Sequence, residues 1–226
     1  MDNSNPNPDS APESPSPSPP SSSLEEHQTW KEAQDSLKKK LIEEDDFSWE
    51  VPMLKYVGGV DISFSKEDPS LACGTLVVLD LHALQPVYED FSVVNLHVPY
   101  VSGFLAFREA PVLLELLDKM KSNASPLYPQ LHHVDGLTLS GVKKLFNVRE
   151  HYSEDFVTLM GDSGHVWGAA MRSTGVSFKP IFISVGHRIS LKTAIKIVKM
   201  TCKYRVPEPI RQADIRSRDY LRKHQI

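Results

Sequence analysis

The chain has 226 residues, enough for one domain with appendages, and its 25 Lys and Arg against 29 Asp and Glu leave a formal net charge of −4. No apolar run is long enough to span a bilayer, and Cys73 and Cys202 have no Cys or His partners at metal-ligand spacing. With an acidic N-terminus unlike a transit peptide, the expectation is a soluble chain of the nucleus, nucleolus or cytoplasm, acting as a monomer away from membranes.

Charge is unevenly spread. The first 50 residues hold 12 acids and 4 bases, whereas His187 to Ile226 holds 11 Lys or Arg and 3 acids. The basic end suits a surface that faces phosphates, although a solvated helical face has the same composition.

Residues 1–23 are Ser, Pro, Asn and acids, a composition that cannot bury enough apolar area to order itself, so a disordered tail is expected there. Leu24 to Glu43 carries Trp30, Ala33, Leu37 and Leu41 at helical spacing. Three strands are predicted at Tyr56–Phe64, Ala72–Leu79 and Pro86–Leu96, and their short links favour an antiparallel meander. A loop at Pro99–Gly103 precedes a helix over Leu105–Lys121, with Glu109 in its first turn and Leu113, Leu114, Leu116, Leu117 and Met120 as its buried stripe. After a linker at Ser122–Gln130, the pattern predicts a short helix at Leu139–Phe146 and a hairpin of Phe156–Met160 with His165–Met171, turning at Asp162 and Ser163. A strand at Pro180–Val185 leads to Gly186-His187-Arg188. Ser190 then caps a helix to about Tyr204, and one more basic helix follows Pro209.

Within VGGVDISF, residues 57–64, a lone acid sits in an apolar strand. An ionised Asp61 there needs pairing, hydrogen bonds or a cation such as Mg2+; a structural aspartate beside a glycine bulge is the alternative.

The stretches VGGVDISF at 57–64, PYVSGFLAFREAP at 99–111, GDSGHVWGAAMRS at 161–173, ISVGHRISL at 183–191 and YRVPEPIRQAD at 204–214 together resemble the endonuclease V family. That resemblance implies a ribonuclease-H-like α/β fold, a mixed sheet flanked by helices over residues 24–226. It also implies Mg2+-dependent hydrolysis of a phosphodiester 3′ to inosine or deoxyinosine in single-stranded RNA or DNA. Carried over by position, Asp61 and Glu109 are the expected metal-binding and catalytic carboxylates, and His187 the catalytic group beside the attacking water or scissile phosphate. Tyr100 resembles the family's wedge, with Gly103 and Leu105 lining the pocket for the extruded base.

One departure shapes the remaining expectation. The family's strand–helix–strand block after the Glu-bearing helix is read as absent, and with it the central metal-binding aspartate and the phosphate-side lysine, since Gln130 runs directly into LHHVDG. Asp135 and Lys143 echo the acid and lysine of that block, but too few residues separate them to hold a helix, and neither is assigned a role. The pattern thus resembles an isoform or gene-model variant of a eukaryotic, plants included, endonuclease V, its fold truncated near 130/131 and its nuclease activity impaired by loss of one metal-binding Asp. The alternative function is a non-catalytic isoform that binds inosine-containing strands.

Overall fold

The chain is described from a computed structural model over residues 21–127, 156–161, 164–175 and 179–225. Residues 1–20 of the expected tail, the helix expected at Leu139–Phe146, the turn residues Asp162 and Ser163, and Asp135 and Lys143 lie outside the described residues. Helix α1, Ser21–Lys38, belongs to a first unit ending at Lys39, and the sheets and remaining helices belong to the second, Lys40–Ile226.

In the sequence LACGTLVVLD the side chains are apolar or small on both parities, so the strand they form can be covered on both faces. Leu71–Asp80 is that strand, β2, between β1, Tyr56–Phe64, and β3, Gln85–Asn95, in an antiparallel β1-β2-β3 sheet. The β2–β3 link is fixed by Asp80, whose Oδ1 accepts from the His82 and Ala83 amides at 2.9 and 2.8 Å.

Each face of β2 has its own helix. Leu76 and Val78 pack on α2, Leu105–Asn123, through Leu116, Leu117 and Met120. Val77 and Leu79 face the other way, onto Ala213 of the C-terminal helix, Glu208–His224. On α2 the buried residues are Val112, Leu116, Leu117 and Met120, while Leu114 is 55 % exposed, so the stripe is rotated from the expected one. Pro111 lies inside this helix and removes the bond that would reach the Phe107 carbonyl. The helix begins at Leu105 as predicted, and Glu109, four residues in, falls just past its first turn.

A second antiparallel sheet has the order β4-β5-β6, from Phe156–Met160, Val166–Met171 and Ile181–Ser184. Ala169, Met171 and Ile183 pack on Ile195 of α3, Leu191–Thr201. Ser190 is its N-cap as predicted, its hydroxyl accepting from the Thr193 amide at 3.3 Å. The C-terminal helix is α4.

The expected fold class is therefore corrected. The described strands form two complete three-stranded antiparallel sheets with flanking helices, in place of one mixed sheet stripped of a strand–helix–strand block. The physical reason is local closure: short links pair each strand with its neighbour in sequence, and β4–β6 satisfy one another without reaching across to β1. No described helix is long and apolar enough to cross a membrane.

Candidate active site

Alternation along β1 puts Gly59, Asp61 and Ser63 on one face. That face meets α4. A Cβ on Gly59 would lie 2.3 Å from the Pro209 carbonyl carbon, so only glycine permits the helix to approach this closely. Ser63 shares a buried 2.6 Å hydrogen bond with Ser217, one helical turn beyond Ala213. Asp61, between these two contacts, is thereby held at the strand–helix seam.

Burial pushes the Asp61 carboxyl above its ordinary range, and the negative charge of Glu109 pushes it further, against the Ile62 amide and the Arg218 charge, which favour ionisation. Glu109 is likewise raised by burial, with Arg108 opposing. Two partly buried acids thus stand on different elements, β1 and α2, with the charge of Glu109 reaching Asp61. Like charges in low dielectric are relieved by a cation between them, and carboxylate oxygens are the donors a hard divalent ion prefers. The residues fit Mg2+.

On α4, Asp214 and Arg218 lie one turn apart, and Arg218 reaches this pair. Arg218 forms an ion pair with Asp214, and its charge also acts on Asp61. Sequence reading quoted the RQAD stretch without singling out either residue. The signal was their four-residue spacing on a helix that also carries Pro209 and Ser217, which fixes the face that meets β1.

His187 is positioned separately. It sits with Arg188 at the tip of a two-residue turn closed by the Gly186–Ile189 bridge, and its Nδ1 accepts from the Ile42 amide at 3.4 Å. Among the charges that set the Asp61 carboxyl, Glu109 and Arg218 figure and His187 does not. Tyr100 is 67 % exposed in the loop before α2, Gly103 takes φ +86°, a conformation that favours glycine, and Leu105 is 43 % exposed at the first helical position. The loop and the Glu109 helix are thus one continuous piece of chain.

Comparison with known proteins decides the family. The Endonuclease V family model matches residues 35–145 and 138–215. The chain belongs to the endonuclease V family. It is 41% identical over 233 residues to Endonuclease V of Mus musculus, covering 86% of this chain and 69% of the relative, and 40% identical to that of Homo sapiens, covering 86% and 83%. The crystal structure of the catalytic domain of human Endonuclease V superimposes with a TM-score of 0.81 at 36% identity, covering 92% of this chain and 99% of that one. Endonuclease V of Ciona intestinalis, in complex with a 24mer DNA containing an inosine followed by a ribo-adenosine, matches with a TM-score of 0.79 at 30% identity, covering 88% and 99%.

These matches overturn the expected truncated isoform. A match that covers 92% of this chain and 99% of the human catalytic domain argues against a fold that lacks an internal block. Membership makes the protein a Mg2+-dependent endonuclease.

Proposed function

We propose that this endonuclease V hydrolyses the phosphodiester 3′ to inosine or deoxyinosine in single-stranded RNA or DNA, with Asp61 and Glu109 as the catalytic carboxylates that hold Mg2+. The observation that carries the reading is the placement of two partly buried acids on adjoining elements, β1 and α2, with the Glu109 charge reaching Asp61. Bound there, Mg2+ supplies an acidified water and neutralises charge that develops on the phosphate.

The chain's own residues do the rest. Tyr100, exposed ahead of α2, stacks in the gap left by the extruded base, while Gly103 and Leu105 line the pocket that receives it. His187 attends the attacking water or the scissile phosphate. Lys192, Lys196 and Lys199 on α3 offer cations to the strand's phosphates. The inosine-containing DNA bound by the Ciona relative supports this substrate class. A nuclear, nucleolar or cytoplasmic site of action fits such substrates.

Incubating the full chain with end-labelled inosine RNA and Mg2+ tests the reading. Fragments cut 3′ to inosine, and lost in Asp61→Asn, support it; tight binding without fragments would overturn it.

A further inference from the structure

The acidic segment Ile42-Glu43-Glu44-Asp45-Asp46 is far from His187 in sequence, yet it is strapped onto the His187 turn by a series of specific bonds. The Arg188 amide donates to the Ile42 carbonyl at 2.6 Å and the Asp46 amide to the Arg188 carbonyl at 3.2 Å. The Arg188 guanidinium donates to the Asp46 carboxylate at 2.7 Å. These hold Arg188 at φ +66°, a left-handed conformation that a residue with a side chain adopts only when its surroundings impose it. Asp45 anchors the strap at the far side: its Oδ1 accepts from the Ser190 amide and its Oδ2 from the Thr193 hydroxyl, both at 2.7 Å. It thereby ties the strap to the first turn of α3, immediately after the His187 turn.

The consequence falls on the imidazole. A backbone N–H can only donate, so the Ile42 amide at 3.4 Å from Nδ1 selects the tautomer with Nδ1 bare and the proton on Nε2. The ring then presents an N–H donor on the side away from the strap.

We propose that Asp45 is a positioning residue for His187, seating the Ile42–Asp46 strap so that the imidazole is fixed as its Nε2–H tautomer. The catalytic part of this inference rests on His187 acting in the proposed reaction; the tautomer part does not. Phosphate oxygens accept and do not donate, so a fixed Nε2–H is the form of a neutral histidine that suits an anionic substrate.

The test uses the full chain. In uniformly 15N-labelled protein held above the histidine titration range, two-bond ring correlations distinguish the tautomers, with the His187 signals assigned by their loss in His187→Gln. Wild type is expected to show a bare Nδ1 and a protonated Nε2. Asp45→Ala should move both nitrogens toward the average of the two tautomers. Asp45→Asn, which keeps an oxygen for the Ser190 amide, should lie between and carries the test if the alanine variant does not fold. A His187 signature unchanged in a folded Asp45 variant overturns the proposal.

Cleavage kinetics supply the second arm. Asp45→Ala should lower kcat between roughly ten- and a hundredfold, the range expected for misplacing a catalytic group, with little change in KM. In a His187→Ala background the same substitution should change kcat less than about twofold, because it acts through a group already removed. Additive losses would contradict positioning through His187. If His187→Ala alone cuts like wild type, it is the catalytic reading of His187 that fails, and the tautomer result still decides what Asp45 does.

Discussion

Ser63 on β1 and Ser217 on α4 share a buried hydrogen bond of 2.6 Å, and the Ser217 hydroxyl in turn donates to the Asp214 carbonyl at 3.0 Å. Only one orientation serves both bonds, with Ser63 donating to Ser217. The chain of hydroxyls locks the strand that carries Asp61 to the helix turn that carries Asp214 and Arg218. Ser217→Ala leaves the Ser63 hydroxyl buried without this partner and should cost about 1–3 kcal/mol. Because the two hydroxyls act as a unit, the double variant Ser63→Ala with Ser217→Ala should cost less than the sum of the single ones. Chemical denaturation of the three variants checks this, and strict additivity would contradict it.

Glu208 opens α4 almost fully buried, where Arg211 donates to both of its carboxylate oxygens at 2.7 Å and Gln212 adds a bond at 2.8 Å. The Arg211 bonds hold its carboxyl below the ordinary range despite burial. A depressed folded-state value means the stabilisation is present above the unfolded value and is lost as pH falls through the folded one. Glu208→Gln should therefore lower Tm most near neutral pH, and the gap to wild type should close as pH drops below about 4. A gap independent of pH between neutral and acid would show that the charge is not what α4 uses.

Tyr100 has most of its surface in solvent, so its removal should leave Tm nearly unchanged. If it stacks in place of an extruded base, Tyr100→Ala weakens binding to inosine-containing strands by about 1–3 kcal/mol and to unmodified strands by less. Fluorescence anisotropy with matched oligonucleotides measures both. Equal losses would assign Tyr100 to general strand binding.

The strand bearing Asp61 was legible to the residue, because its glycines, its β-branched residues and the polar turns on either side all agree on Tyr56–Phe64. So was the Ser190 cap. The antiparallel β1–β3 meander and the β4–β5 hairpin were also legible, from their short links, but how the strands divide into sheets was not, since that is a long-range matter that periodicity does not encode. Motif order suggested a mixed sheet lacking a block, whereas the strands close locally into two antiparallel sheets. The site was half legible for a related reason. Asp61 and Glu109 stand in recognisable stretches, but Asp214 and Arg218 lie in a charge-rich helix whose inward face is set by Gly59 meeting Pro209, a contact between residues 150 positions apart.

The raised carboxyls also predict a cost. A carboxyl whose folded-state value is raised makes the fold less stable as pH rises through the window between its unfolded and folded values, because the folded chain must then give up a proton it holds more tightly. Asp61 and Glu109 are both raised, chiefly by burial. In the metal-free protein near neutral pH, Asp61→Asn should thus raise Tm. Adding Mg2+ should stabilise wild type and leave the variant unmoved. Calorimetric scans with EDTA and with Mg2+ check both statements, and a lower Tm for the metal-free variant would contradict the first.

Single-turnover cleavage of an inosine-containing RNA in Mg2+, with wild type and Asp61→Asn compared at equal folded concentration, tests the assignment most directly. Removing a carboxylate that holds the metal should slow the chemical step by at least about a hundredfold, equivalent to roughly 2.7 kcal/mol of transition-state stabilisation, while binding of the RNA is retained. Equal rates for the two proteins would show that Asp61 does not hold the catalytic metal.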